Sequence, residues 1–330
     1  MNRPNFIIIG AAKGGTTALH NYLGQHPDIF VTRKKEPKFF TFYGDGVQDA
    51  SIPDERFDVE GRRRYEYIKA GSICDLETYH ALFDEVSEET AIGESSPMYL
   101  YCPDSAQRIH TYDSTMKLIA ILRNPVDRAF SHYMQYSIQV QGDEYLPTFE
   151  KAIAAEPIDN PNIWYGLRHY IRLGFYYAQL KRYFDVFEPG QIQVHLYEDF
   201  KQNPQKLFGD IFRFLEVDDN FQVDTSKSHN VGAAPKNQFI HRSLGWVNAM
   251  ANAENPAIKT LKSSIPQPIY RGISATIQRV KKQNITEKPT SCGIATRQQL
   301  LEVYGTDIQS LQDLIGRDLS HWMNPETSPR

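Results

Sequence analysis

An α/β fold, a parallel sheet covered by helices on both faces, is what the sequence predicts, on three observations. Apolar runs such as Phe6–Ile9 and Lys117–Leu122 have the composition of buried strands. Stretches of helical spacing alternate with these runs along the chain. A glycine-bearing turn, Gly10-Ala11-Ala12-Lys13-Gly14-Gly15-Thr16-Thr17, joins the first run to a helix running towards Gln25.

In chain order, His26-Pro27-Asp28 ends that helix and Ile29-Phe30-Val31 forms a short second strand. Residues 44–72 are polar and irregular and read as a loop followed by a short helix. Asp75 to Val86 carries Leu76, Tyr79, Leu82, Phe83 and Val86 on one helical stripe. Thr90 to Gly93 is a strand, with Glu94-Ser95-Ser96-Pro97-Met98-Tyr99 as its exit loop. A helix over Pro103–Tyr112 precedes the central strand Lys117–Leu122, and Pro125 opens the next helix, where its missing N–H costs nothing. Asn162 to Tyr177 is dense in aromatics and cations. It suits either a ring-binding cleft or packed core, and continues as a helix to Phe187. Gln191–Leu196 is a further strand, Glu198-Asp199-Phe200 a loop and Pro204–Leu215 a helix. From Ser226 the chain is more polar and less regular to about Thr290, with a helix over Ile273–Lys282. An amphipathic helix over Thr296–Leu314 follows.

The turn after the first strand has the chemistry of a phosphate cradle. Strand, glycine loop and helix together aim backbone N–H groups and a helix N-terminus at an anion. Gly14 and Gly15 carry no Cβ to hold a phosphate away, while Lys13, Thr16 and Thr17 supply charge and hydroxyl donors. In the ordinary P-loop register Gly10, Gly15 and Thr17 fit, but Thr16 stands where the lysine belongs and Lys13 lies three places earlier. A nucleoside triphosphatase needs that later lysine on its β- and γ-phosphates, so this register suits a shorter donor.

Composition excludes several classes. The 330 residues are 41% hydrophobic, enough for a substantial core, and the net charge of −4 offers no global basic field for nucleic acid. No apolar run is long enough to span a bilayer. The chain passes from Met1-Asn2-Arg3-Pro4-Asn5 into its first strand without room for a signal peptide. Cys74, Cys102 and Cys292 are odd in number and far apart, matching neither a disulfide framework nor metal spacing. The histidines, His20, His132 and His229 among them, have no metal spacing and read as packing or surface. A reduced, cytoplasmic protein is the expectation, with no signal for an oligomeric state.

Two further groups stand out. In Arg33-Lys34-Lys35-Glu36-Pro37-Lys38-Phe39-Phe40 a carboxylate lies among cations, and Pro37 favours an extended Glu36. By spacing alone this segment is also compatible with a solvated basic turn. Arg123 stands at the tip of the central strand, with Ser131 about two turns into the following helix. A guanidinium with two forked donors suits a phosphate monoester. The alternative is an arginine that closes the strand by a salt bridge to Asp127 or Glu94.

Taken together, the glycine turn, Lys35-Glu36-Pro37-Lys38-Phe39-Phe40, Leu122-Arg123-Asn124-Pro125 with Ser131, and Leu311-x-x-Leu314-Ile315-Gly316-Arg317-Asp318-Leu319-Ser320-x-Trp322 resemble the sulfotransferase family that uses 3′-phosphoadenosine 5′-phosphosulfate (PAPS). The likeness is greatest to heparan-sulfate-type domains and their bacterial relatives, and it covers nearly the whole chain. It implies a P-loop-like α/β fold, one domain over 1–330 with a mostly helical part from about 226, and no metal. It also implies Lys13 on the leaving phosphate and the transferring sulfuryl group, with Gly14, Gly15, Thr16 and Thr17 as cradle. Arg123 and Ser131 would then grip the 3′-phosphate, and Glu36 would be the general base. Ser95 and Lys38 stand where those glycan enzymes carry lysine and histidine, which leaves the acceptor open between a glycan and a small molecule. A nucleotide kinase or GTPase and an inactive nucleotide-binding relative are the competing expectations.

Overall fold

The computed structural model describes residues 2–43, 59–139, 148–156, 169–226, 233–235, 285–287 and 291–326. Five strands, β1 (Phe6–Gly10), β2 (Ile29–Val31), β3 (Ala91–Ser95), β4 (Lys117–Leu122) and β5 (Ile192–Leu196), form one sheet in the order β2-β3-β1-β4-β5. Every neighbouring pair is parallel. Residues of β1 and of β4 after Lys117 are all buried, as their unbroken apolar composition requires.

Helices cover both faces. Phe6 and Ile8 of β1 and Ile119 and Ile121 of β4 pack with α1 (Thr16–Leu23) and with Leu207, Phe208, Ile211 and Phe212 of the Pro204–Leu215 helix. Ile7, Ile9, Leu118 and Ala120 alternate to the opposite face, equally buried. There the short helix Met98–Tyr101 lies against β1, and the Tyr183 hydroxyl of the Tyr176–Phe184 helix donates to the Tyr99 carbonyl at 2.8 Å.

The chain folds as two compact units. The first (Met1–Tyr133, Leu146–Asn230, Thr290–Arg330) holds the sheet, and the described part of the second includes an antiparallel pair, Ala233–Pro235 with Ile285–Glu287. These two strands lie in the tract expected to be irregular. The Ile273–Lys282 helix, His229 and residues 162–168 fall outside the described residues.

Several boundaries differ from expectation. β3 runs on through Glu94 and Ser95, because Ile7 and Ile8 of β1 pair with them and extend the ladder. The helix expected over Asp75–Val86 is regular only over Leu76–Ala81, capped by the Asp75 carboxylate on the Thr78 N–H at 2.8 Å. Leu76 of its supposed apolar stripe is exposed, whereas Tyr79 and Phe83 are buried. Glu198-Asp199-Phe200 is helical, within Tyr197–Gln202.

The strand order places the site. From β1 the chain turns away towards β3 and β2, and from β4 towards β5, so the connections diverge between β1 and β4. The crevice at the carboxyl ends of two such strands is where parallel sheets bind ligands.

Candidate active site

The glycine turn occupies that crevice. The Ala11 N–H donates to the Ile121 carbonyl of β4 at 2.9 Å, and the Gly14 N–H donates to the Ala11 carbonyl at 2.9 Å. A Cβ on Gly14 would sit 2.3 Å from the Ile121 carbonyl oxygen, so the turn can lie this close to β4 only with glycine there. Gly15 is the N-cap of α1 at φ 109°, a conformation that side chains disfavour. Among the described residues no side chain caps α1, and no acidic residue occupies its first turn. Its leading N–H groups, those of Thr16 and Thr17 included, are therefore available to an anion. Lys13 has φ 69°, strain of the kind that collects at ligand sites.

Arg123 follows the last residue of β4 and precedes α2 (Pro125–Gln139). The Asn124 side-chain oxygen accepts from the Val126 N–H at 3.0 Å and Pro125 takes the first helical position, as its ring geometry favours. The salt-bridge alternative does not hold. Asp127 pairs with Arg297 in a buried ion pair and Glu94 accepts from the Ser96 hydroxyl at 2.9 Å. Among the described residues Arg123 forms no ion pair, and its buried Nε has no hydrogen-bond partner. Its guanidinium carbon stands instead 5.0 Å from the centroid of the Tyr197 ring. Ser131 lies on the same helix, half-buried.

Tyr197 carries no sequence signal; it meets the turn only because α3 (Tyr197–Gln202) begins directly at the end of β5. The Leu311–Trp322 motif explains how α3 is held. Arg317 forks onto both carboxylate oxygens of Asp199 at 3.0 Å, and the Trp322 indole donates to Glu198 at 3.2 Å. The Trp322 carbonyl also accepts from the Asn124 amide at 3.1 Å. The C-terminal motif thus braces both Tyr197 and the residue after Arg123, which gives its distant position in sequence a structural reason.

Glu36 reaches the same end of the sheet through β3, since its N–H donates to the Ser95 carbonyl at 3.0 Å. The extended conformation expected before Pro37 is replaced by φ 59°, and Lys38 is likewise left-handed at φ 55°. Hydrogen bonds to the end of β3 override the local preference. The Glu36 side chain is 42% exposed and pairs with the Lys35 ammonium at 3.0 Å. It remains open to solvent.

His20 on α1 is buried near this segment, and burial together with the Lys35 charge pushes its pKa down to about 4. His132 on α2 is held well below its ordinary value by burial, then by the charges of Arg128 and Lys13. Both are packing residues, as expected. Of the described part of the aromatic segment, Tyr170 and Tyr176 pack as core. Among the described residues no group of three His, Cys, Asp or Glu could hold a metal ion, and no helix is long and apolar enough to cross a membrane.

The family model for the sulfotransferase domain matches residues 3–238. A solved sulfotransferase structure from Alicyclobacillus acidocaldarius is 30% identical, with 98% of this chain and all of that one aligned at a TM-score of 0.66. The membrane-associated sulfotransferase kil1 of Dictyostelium discoideum is 36% identical over 137 residues, 41% of this chain and 23% of that protein. Human heparan sulfate glucosamine 3-O-sulfotransferase 6 is 29% identical over 188 residues, 56% of this chain and 44% of its own length. The chain spans less than half the length of these two curated relatives.

Proposed function

The chain belongs to the sulfotransferase family, and from that premise we propose that it transfers the sulfuryl group of PAPS to a hydroxyl or amine of a glycan or small-molecule acceptor. The observation that carries this reading is the crevice between β1 and β4, with the uncapped N-terminus of α1 on one side and Arg123 on the other. The residues fit the nucleotide: a turn that a Cβ on Gly14 would obstruct, and a guanidinium whose Nε has no partner among the described residues. PAPS, when bound, supplies the sulfuryl group together with a good leaving group, adenosine 3′,5′-bisphosphate.

The protein's contribution is positional and electrostatic. The N–H groups of Gly15, Thr16 and Thr17 hold the 5′-phosphate, and Gly14 lets the turn lie close enough to β4 to aim them. Lys13 neutralises charge that gathers on the leaving oxygen, a type of interaction worth about 3–4 kcal/mol. Arg123 and Ser131 hold the 3′-phosphate, remote from the reacting centre. Glu36 accepts the acceptor's proton during transfer, with Lys35 beside it to orient the carboxylate. No step calls for a metal. The three free cysteines support a reducing, cytoplasmic setting for this reaction.

Two measurements test the reading. Adenosine 3′,5′-bisphosphate should bind with full affinity in excess chelator, whereas a nucleotide kinase or GTPase would require Mg²⁺. Labelled sulfate should pass from PAPS to a member of a panel of glycans and small molecules. Absence of transfer to every member, with nucleotide still bound, would favour an inactive relative.

A further inference from the structure

Glu94 is fully buried on β3, yet no cation pairs with it among the described residues. Its Oε1 has no hydrogen-bond partner there, and Oε2 accepts from the Ser96 hydroxyl at 2.9 Å. A buried carboxylate faced by hydroxyls and not paired with a cation costs stability, and an apolar residue would serve the sheet better.

What it touches suggests why it is there. Three alternate N–H groups of the Glu36 segment are received by the end of β3 and the helix after it. Glu36 N–H donates to the Ser95 carbonyl at 3.0 Å, Lys38 N–H to the Ser96 Oγ at 3.0 Å and Phe40 N–H to the Tyr99 hydroxyl at 3.3 Å. The middle bond depends on Glu94. An ionised carboxylate can only accept, so Ser96 must donate its single proton to Glu94 and turn its lone pairs to the Lys38 N–H. Lys38 and Glu36 both sit in left-handed conformations that this ladder must hold.

We propose that Glu94, acting through the Ser96 hydroxyl, is a positioning residue that fixes the backbone of the Glu36 segment. This rests on the reading of Glu36 as the residue that accepts the acceptor's proton. A protonated Glu94 can itself donate to Ser96, so the hydroxyl proton is no longer held on the carboxylate and the lone pair facing the Lys38 N–H is no longer fixed in direction. The groups facing Glu94 are Glu36 and Lys35 from the segment itself, Tyr99 from the helix after β3, and Tyr79 from the Leu76–Ala81 helix. Burial pushes its pKa up to about 7; the Tyr99 and Ser96 hydroxyls pull it down, the Glu36 charge raises it and Lys35 lowers it. The switch in hydrogen-bond polarity therefore falls near neutrality.

Hydrogen exchange of the peptide covering 36–40, corrected for intrinsic rate, tests this between pH 6 and 8.5 on the full chain. In the wild type, protection should fall about tenfold as the pH drops through 7, the equivalent of one ordinary hydrogen bond. Glu94→Gln should abolish the step, and Ser96→Ala should hold the peptide at the low-pH level of protection at every pH. Should Glu94→Gln not fold, the wild-type profile and Ser96→Ala decide the matter between them. Affinity for adenosine 3′,5′-bisphosphate should remain within about twofold in both variants, because neither touches the cradle. A flat wild-type profile, or a step that survives Glu94→Gln, overturns the assignment of Glu94. A wild-type chain that binds no nucleotide overturns the sulfotransfer reading instead, whatever the exchange profile.

Discussion

Arg123 lies over the face of Tyr197, its guanidinium carbon 5.0 Å from the ring centroid, and the same ring stands 3.0 Å from where a Cβ on Gly15 would be. One aromatic side chain thus touches both sides of the crevice between β1 and β4. It orders the guanidinium without using up its hydrogen-bond donors.

Tyr197→Ala should therefore weaken binding of adenosine 3′,5′-bisphosphate by about threefold to thirtyfold, the range of a cation–π contact from exposed to desolvated. Tyr197→Phe keeps the ring and should bind as the wild type does. Calorimetry on both variants checks this. Equal losses in the two would assign the effect to the hydroxyl rather than the ring face.

Lys13→Ala should lower the rate of sulfate transfer by about 10²–10³ while leaving the thermal unfolding midpoint within a few degrees, since its proposed role is charge stabilisation. Arg123→Ala should act differently, raising the dissociation constant for nucleotide more than it lowers turnover. On the proposed reading the 3′-phosphate that it would grip is not where the bond breaks.

Gly14→Ala should cost both binding and stability. The added methyl meets a backbone carbonyl at 2.3 Å, so the turn must lift off β4, and N–H groups aimed at the anion move with it. Loss of about 1–3 kcal/mol in denaturant unfolding, with nucleotide affinity lowered at least tenfold, is the expected result.

The buried Arg297–Asp127 pair ties the Ile294–Ile315 helix to the start of α2. Arg297→Met alone leaves a buried carboxylate without its counter-charge and should cost about 3–5 kcal/mol. The double variant Arg297→Met, Asp127→Leu should recover most of that in chemical denaturation.

His20 makes the fold acid-sensitive. Its folded pKa of about 4 lies below the ordinary 6.5, so the unfolded chain binds the proton more readily. The stability from a neutral His20 is thus full above about pH 6.5 and is lost as pH falls towards 4, on the order of 3 kcal/mol in all. In His20→Gln the stability lost between pH 7 and pH 4.5 should be smaller than in the wild type, measured by urea unfolding at each pH.

Much of the fold was legible because β1 and β4 are unbroken apolar runs that can be nothing but buried strands. The glycine turn was legible because few other arrangements use that set of residues. Strand order was not legible: nothing in the local sequence says that β4 lies beside β1, which is what brings Arg123 to the turn. Tyr197 was missed for the same reason, being one aromatic among many until α3 set its direction. The conformation of Glu36 was misread because the preference before Pro37 is local, whereas the hydrogen bonds that override it come from Ser95 and Ser96, about sixty residues away. Glu94 looked like a loop carboxylate, since the extra β3 residues are strand only by virtue of pairing with β1.

A crystal soaked with adenosine 3′,5′-bisphosphate bears most directly on the central claim. The account predicts the 5′-phosphate on the backbone N–H groups of Gly15 to Thr17 with Lys13 beside it, and the 3′-phosphate on Arg123 and Ser131. A nucleotide bound elsewhere, or one whose 3′-phosphate lies away from Arg123, would contradict it.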